Sequence, residues 1–151
     1  MLFRSWLGDR LAGKVRGALF MLTGISTLAA VPFVALALVA KTPVLIFAFM
    51  GVGLTLVFMN SGPTNTIIVN VVDPKIRAAA FAINIFFIHL LGDIPSPTAM
   101  GWVSDATGSL FWALAITLPA LAGGGVLYCI GSRYLDADQE AMLQSLRTTK
   151  P

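Results

Sequence analysis

The stretch FAINIFFIHLLGDIPSPTAMGWVSD, residues 81–105, decides the fold. Its length and apolar composition are sufficient to cross a bilayer as one helix, since about 20 residues span roughly 30 Å of hydrocarbon. Its middle nevertheless holds His89 and Asp93, which share one face of a helix, and Ser96, which falls close to that face. Two prolines that flank Ser96 remove two backbone donors. A charged group at membrane depth costs about 2.5–3.5 kcal/mol and usually faces protein or a wet cavity, so this helix requires neighbours.

The composition of the whole chain is that of a membrane protein. Of its 151 residues, 57% are hydrophobic and 11% are charged, and the mean hydropathy is +0.85, whereas soluble domains carry about 25% charged residues. Residues 1–16 contain charges throughout and lack the apolar core of a signal peptide. The single cysteine, Cys129, excludes an intrachain disulfide. We expect no cofactor and no nucleic-acid partner.

Four apolar segments predict an all-α membrane protein with four transmembrane helices. Each segment is bounded by charged residues or by Pro and Gly, and helices are required because a spanning segment must satisfy its own backbone hydrogen bonds. The predicted organisation is a cytoplasmic loop at 1–16, four helices within 17–132, at about 17–40, 43–72, 78–103 and 109–131, and a cytoplasmic tail at 133–151.

Lysine and arginine are distributed unevenly between the two ends of these helices. With four crossings, nine of the ten Lys and Arg residues lie on one side, and Lys41 alone lies on the other. Positive residues concentrate on the cytoplasmic side of membrane proteins. We therefore expect a multi-pass protein of the cell membrane with both termini in the cytoplasm.

The second segment divides into an apolar outer half and a polar inner half. The inner half begins with Asn60-Ser-Gly-Pro-Thr-Asn65, which predicts a helix interrupted at the Gly-Pro pair. Interrupted helices are tolerated in membranes where the irregular backbone is buried in protein or lines a cavity. Two interpretations of Asn60, Thr64 and Asn65 remain open: they hydrogen-bond neighbouring helices, or they line a substrate path.

The His89–Asp93 pair has three interpretations. It can be a buried hydrogen bond that holds the helix against its neighbours, or a proton-sensitive pair, because histidine titrates near neutral pH. A catalytic or metal site is the third, but metal sites usually need three or four ligands. The chain offers no second histidine, no cluster of thiolates and no Gly-x-Ser-x-Gly motif. We therefore expect no metal site and no enzyme, and we treat His89, Asp93 and Ser96 as candidates for a substrate path or for coupling.

The charged segment before the first helix resembles a motif of a known family. Trp6-Leu-Gly-Asp-Arg-Leu-Ala-Gly-Lys14 is similar to the short cytoplasmic loop of the major facilitator superfamily, with Gly8, Asp9 and Arg10 matching part of its core. In that family the motif links two helices on the cytoplasmic side. The resemblance implies that Asp9 and Arg10 belong to the cytoplasmic latch of this loop motif, and a solvated pair of charges beside the membrane is the alternative.

The third segment carries the more specific resemblance. His89-Leu-Leu-Gly-Asp-Ile-Pro-Ser-Pro97, followed by Gly101 and Ser104-Asp105, is similar to the eleventh helix of the spinster-like transporters. That helix carries the pattern His-x-x-Gly-Asp-x-x-Ser-Pro and ends in Gly-x-x-Ser-Asp. Placed on this family, the chain corresponds to helices nine to twelve and the tail, which is a partial C-terminal bundle.

The resemblance implies transmembrane transport rather than catalysis. Its implied partners are the missing N-terminal half of the transporter, membrane lipids, and a small organic or lipid substrate, since full-length relatives are implied to export sphingosine phosphates or lysophospholipids. Two alternatives stay open. One is a self-contained four-helix protein that oligomerises, as small multidrug transporters do, although the first segment lacks the acidic residue that such transporters need. The other is an intramembrane enzyme that uses His89 and Asp93.

Overall fold

The structure of the chain is a computed structural model that describes residues 17–148. Within that range every regular element is helical. The elements are α1 (Ala18–Val39), α2 (Pro43–Phe58), α3 (Ser61–Val71), α4 (Arg77–Ile88), a π-helical turn (His89–Asp93), α5 (Pro95–Thr107), α6 (Leu110–Ala115), α7 (Thr117–Gly131) and α8 (Leu135–Thr148).

These helices combine into four segments that are long and apolar enough to cross a membrane, which confirms the predicted fold class. Span 1 is α1, span 2 joins α2 and α3, span 3 joins α4, the π turn and α5, and span 4 joins α6 and α7. Span 3 continues to Thr107, beyond the predicted end near residue 103. It ends there because Gly108 adopts φ 64°, the left-handed conformation that terminates helices and that glycine tolerates best.

Span 1 is the centre of the packed part of the molecule. Spans 2 and 4 both pack along it, and its buried residues include the hydroxyl side chains of Thr23, Ser26 and Thr27. These hydroxyls donate to backbone carbonyls of their own helix at 2.8–3.0 Å. Burying them is therefore inexpensive, and short side chains let membrane helices approach closely.

The closest approach joins span 1 to span 4. A Cβ atom added at Gly24 would lie 2.5 Å from the Cys129 sulfur and 2.8 Å from the carbonyl oxygen of Gly125. A Cβ atom added at Gly125 would lie 2.7 Å from the side chain of Leu28. The two glycines therefore allow backbone contact that no larger residue permits.

The tail helix α8 packs beneath spans 1 and 2. Leu135, which is 2% exposed, forms a buried apolar cluster with Leu19 of span 1 and Ile67 of α3. The cluster lies at the end where both the first span begins and the fourth span ends. This is the end that the Lys and Arg distribution predicts to be cytoplasmic.

Span 3 is the least packed element of the described chain. None of its residues is buried. Its outer half, α5, packs along α6, and α4 contacts the end of α3, but span 3 makes no extensive contact with span 1. The face of span 3 that carries its polar residues is therefore open.

Candidate functional site

The π turn of span 3 brings two titratable residues, His89 and Asp93, into direct contact. His89 Nδ1 and Asp93 Oδ2 lie 2.6 Å apart, which is a short hydrogen-bond distance. An ionised carboxylate can only accept, so Nδ1 carries the shared proton in that state, and Nε2 remains available for another partner. The predicted proximity of the two side chains is thus present within a single turn of helix.

Local sequence explains why the helix widens at this position. The N–H of Ile94 donates to the carbonyl of His89 at 3.0 Å, five residues back instead of four. Pro95 and Pro97 have no N–H, so the carbonyls one turn before them lose their ordinary donors. π turns of this kind are rare and occur frequently at functional sites. The geometry leaves backbone carbonyls and two polar side chains together in the middle of an apolar span.

The pair is open on the outside of the chain. The side chains of His89 and Asp93 are 62% and 64% exposed, and the π turn packs mainly against its own flanking helices. The bond joins two residues of one helix, so it does not hold span 3 against a neighbour as one interpretation of the sequence required. Ser96 follows in the first turn of α5 and makes no hydrogen bond to either residue in this part of the structure.

A second polar region lies in the inner half of span 2. Helix α2 ends at Phe58 and α3 begins at Ser61, because Pro63 cannot donate to the carbonyl of Met59, four residues earlier. The interruption that the sequence predicts at the Gly-Pro pair is therefore present, one turn before the proline.

The three candidate residues of this region have different surroundings. Asn60 is half-buried at the interruption, and Asn65 is exposed. Thr64 Oγ1 is buried and has no hydrogen-bond partner among residues 17–148. Buried polar atoms are normally paired, so Thr64 is the member of this group that most needs a partner from outside the described residues.

The structure does not bring the two polar regions together. The inner half of span 2 packs on span 1 and on α8, whereas the π turn lies in the open span 3. The link between them is a turn at the end of α3, where Lys75 N–H donates to Asp73 Oδ1 at 2.8 Å and Arg77 Nε donates to the Val72 carbonyl at 3.2 Å. This turn orders the start of span 3 without closing a site.

Three further points concern residues outside these regions. Gly8, Asp9 and Arg10 of the loop motif lie outside the described residues. Residues 17–148 contain no group of three or more His, Cys, Asp or Glu side chains that could hold a metal ion. In the tail, Asp136 accepts a hydrogen bond from the Gly17 N–H at 3.0 Å, and the sequence did not mark Asp136 as a candidate residue. The available signal was an acidic residue in the first turn of a helix beside a span that lacks its own cap.

The chain is similar to one known protein family and to several individual transport-related proteins. The model of the Organic Anion Transporter Polypeptide (OATP) family matches residues 40–114, which include both polar regions. The chain is 29% identical to the protein spinster homolog 3 of Danio rerio, over 96% of this chain and 32% of that protein. It is 30% identical to a probable sphingolipid transporter, spinster homolog 3 of Arabidopsis thaliana, over 85% of this chain and 25% of that protein.

A third relative is an animal protein whose name states its substrate. The chain is 37% identical to a sphingosine-1-phosphate transporter of Mus musculus, over 56% of this chain and 16% of that protein. The chain therefore spans about a third or less of the length of the curated relatives it matches. Two of these three relatives are named as transporters, and none is named as an enzyme.

Proposed function

Because the chain belongs to the spinster-like family of major facilitator transporters, we propose that it supplies helices nine to twelve of a transporter. A facilitator binds its substrate near the bilayer midplane between two bundles and alternates access by moving one bundle against the other. Four helices form only part of one such bundle. The full transport activity therefore requires the helices that correspond to the rest of the relatives.

The observation that carries this proposal is the open face of span 3. A membrane helix with no buried residue and a His–Asp pair in its middle is stable in lipid only if protein or a wet cavity covers the polar face. Preceding helices of a facilitator supply both: they shield the helix and enclose a cavity beside it. The open face is thus the surface on which we place the missing helices and the substrate path.

The substrate class follows from the relatives and fits the surfaces of the chain. Relatives are named for sphingolipid and sphingosine-1-phosphate transport, so we propose an amphipathic, lipid-like substrate with a polar head. The apolar outer half of span 2 and the large exposed side chains of span 3 suit a hydrocarbon tail. His89, Asp93 and Ser96, with Asn60, Thr64 and Asn65, offer the polar contacts that a head group or a coupling proton needs.

The same proposal includes the orientation. Nine of the ten Lys and Arg residues lie at one end of the four spans, and that end faces the cytoplasm of the cell membrane under the positive-inside rule. Residues 1–16 and the tail helix then lie on the cytoplasmic side. The interruption of span 2 falls in its cytoplasmic half.

The test is lipid transport in reconstituted liposomes. The chain is purified alone and together with the eight preceding helices, on one polypeptide or co-expressed, and uptake of a fluorescent lysophospholipid is measured. We expect uptake above that of empty liposomes only when the eight helices are present. Robust uptake by the chain alone would favour the oligomeric four-helix alternative, and no uptake of any amphipathic lipid by the complete assembly would remove the proposed substrate class.

A further inference from the structure

The start of span 1 is capped by a residue from the other end of the chain. The backbone N–H of Gly17 donates to Asp136 Oδ1 at 3.0 Å, across 119 positions of sequence. Span 1 has no side-chain cap of its own and no acidic residue in its first turn. The first N–H groups of a helix lack partners inside the helix and attract negative charge. The Asp136 carboxylate of α8 therefore caps span 1 in place of a local Asp or Ser.

At this cap the backbone of Gly17 lies close to the backbone of Ser132, and only glycine suits the position. Gly17 adopts φ 62°, a left-handed conformation that L side chains rarely adopt. A Cβ atom at Gly17 would also overlap the carbonyl oxygen of Ser132, which belongs to the short link between span 4 and α8. Glycine is thus required on two independent grounds. The cap, the start of span 1 and the end of span 4 meet at one point.

The hold of α8 on the spans is nevertheless small. Of its described residues only Leu135 and Met142 are buried, and Leu135 contacts the cluster that contains Leu19 and Ile67. An open cavity of about 470 Å³ lies beside the cap and is lined by Ser132, Arg133, Asp136, Ala137 and Glu140. Water can therefore reach the Asp136 carboxylate and replace its hydrogen bond to the Gly17 N–H, so the cap can open.

We propose that α8 is a latch at the end of the bundle that the charge distribution places in the cytoplasm. Docked, it caps span 1 through Asp136 and covers Ile67 in the inner half of span 2. Released, it leaves the first turn of span 1 uncapped and uncovers α3, the segment that holds Thr64 and Asn65. The position of the tail thereby controls the order of the polar half of span 2. This inference concerns the fold of the chain itself and does not rest on the proposed transport.

The first experiment is hydrogen–deuterium exchange on the full chain in detergent micelles. Asp136→Ala removes the cap, and we expect exchange of the α8 amides and of the first turn of span 1 to accelerate on the order of tenfold, the size typical of losing a helix cap. Asp138→Ala is the matched control, because Asp138 is an exposed residue of the same helical turn and its side chain makes no hydrogen bond in the described structure. Equal exchange in the two variants would overturn the latch.

A second measurement tests docking directly. In a Cys129→Ser background, Leu19→Cys with Leu135→Cys should react with a short bifunctional thiol cross-linker, and Leu19→Cys with Leu143→Cys should not, since Leu143 is exposed. Adding Asp136→Ala should lower the yield of the first pair severalfold. Unchanged yield contradicts the role of Asp136, and absence of cross-linking with Asp136 intact contradicts docking. An Asp136→Ala chain that does not fold would make α8 a fixed part of the bundle and also overturn the latch.

Discussion

At the scale of single residues, glycine determines where the spans can approach. The run from Gly123 to Gly125 indicates close packing or a bend, but only Gly125 meets another span, while the other two face open space. Its partner Gly24 stands in a part of the sequence with no such run. Helical periodicity tells which residues share a face, but it does not tell which face meets a neighbour, because that depends on contacts between distant segments. The contact between Gly24 and Gly125 could therefore not be predicted from the sequence.

This contact leads to a stability prediction. Gly24→Ala places a Cβ atom against the backbone of span 4, and overpacking of this kind typically costs about 1–3 kcal/mol. Gly123→Ala is the matched control, since no atom lies within 4 Å of its added Cβ and alanine is the better helix former by up to about 1 kcal/mol. Thermal unfolding in detergent, followed by circular dichroism, should show a lower Tm for the first variant only. A Gly24→Ala chain as stable as the parent would contradict the packing of spans 1 and 4.

At the scale of elements, the sequence predicted which segments form membrane spans better than it predicted the geometry inside each span. The spacing of His89 and Asp93 predicts that they share a face, and they do lie in contact. The π turn that holds them was not predicted, because prolines indicate a disturbed helix without specifying whether it kinks, breaks or widens. The same limit applies to span 2, where the Gly-Pro pair predicted an interruption but not the orphaned hydroxyl of Thr64.

Because His89 and Asp93 are exposed, substitutions of Asp93 can test its role in transport separately from its role in stability. Asp93→Asn keeps the shape and removes the charge, whereas Asp93→Leu removes both. Because the pair is exposed and joins residues of one helix, we expect either change to alter the unfolding free energy of this chain by less than about 1 kcal/mol, as for other exposed ion pairs. Lipid transport by the complete assembly should fall in both variants, with the exposed tail residue Asp138, changed to Asn, as the control.

The outcomes of that experiment distinguish the interpretations that the sequence left open. Transport at the parental rate in both Asp93 variants would exclude a substrate-path or coupling role. Loss of stability in Asp93→Leu with normal transport in Asp93→Asn would instead support the purely structural hydrogen bond. The combination expected here, nearly unchanged stability with reduced transport, would support a role of the Asp93 charge in the substrate path or in coupling.

At the scale of the whole molecule, local patterns determined the class of fold and long-range contacts determined the rest. Four apolar segments of sufficient length leave little choice in a bilayer, since each must be helical, and the structure contains four such spans. The docking of α8 and the isolation of span 3 depend on which surfaces meet after folding. Neither is encoded in the periodicity of a single helix.

The proposed orientation is a property of the whole chain and can be tested without any substrate. Thr42 lies exposed between spans 1 and 2, and Ser145 lies in α8 beyond span 4, so four crossings place them on opposite sides. In a Cys129→Ser background, Thr42→Cys should react with a membrane-impermeant maleimide in intact cells, and Ser145→Cys should react only after permeabilisation. The expected pattern follows because retaining nine positive residues in the cytoplasm outweighs the single Lys41 outside. The reverse pattern would move the interruption of span 2, and the latch beside it, to the external side.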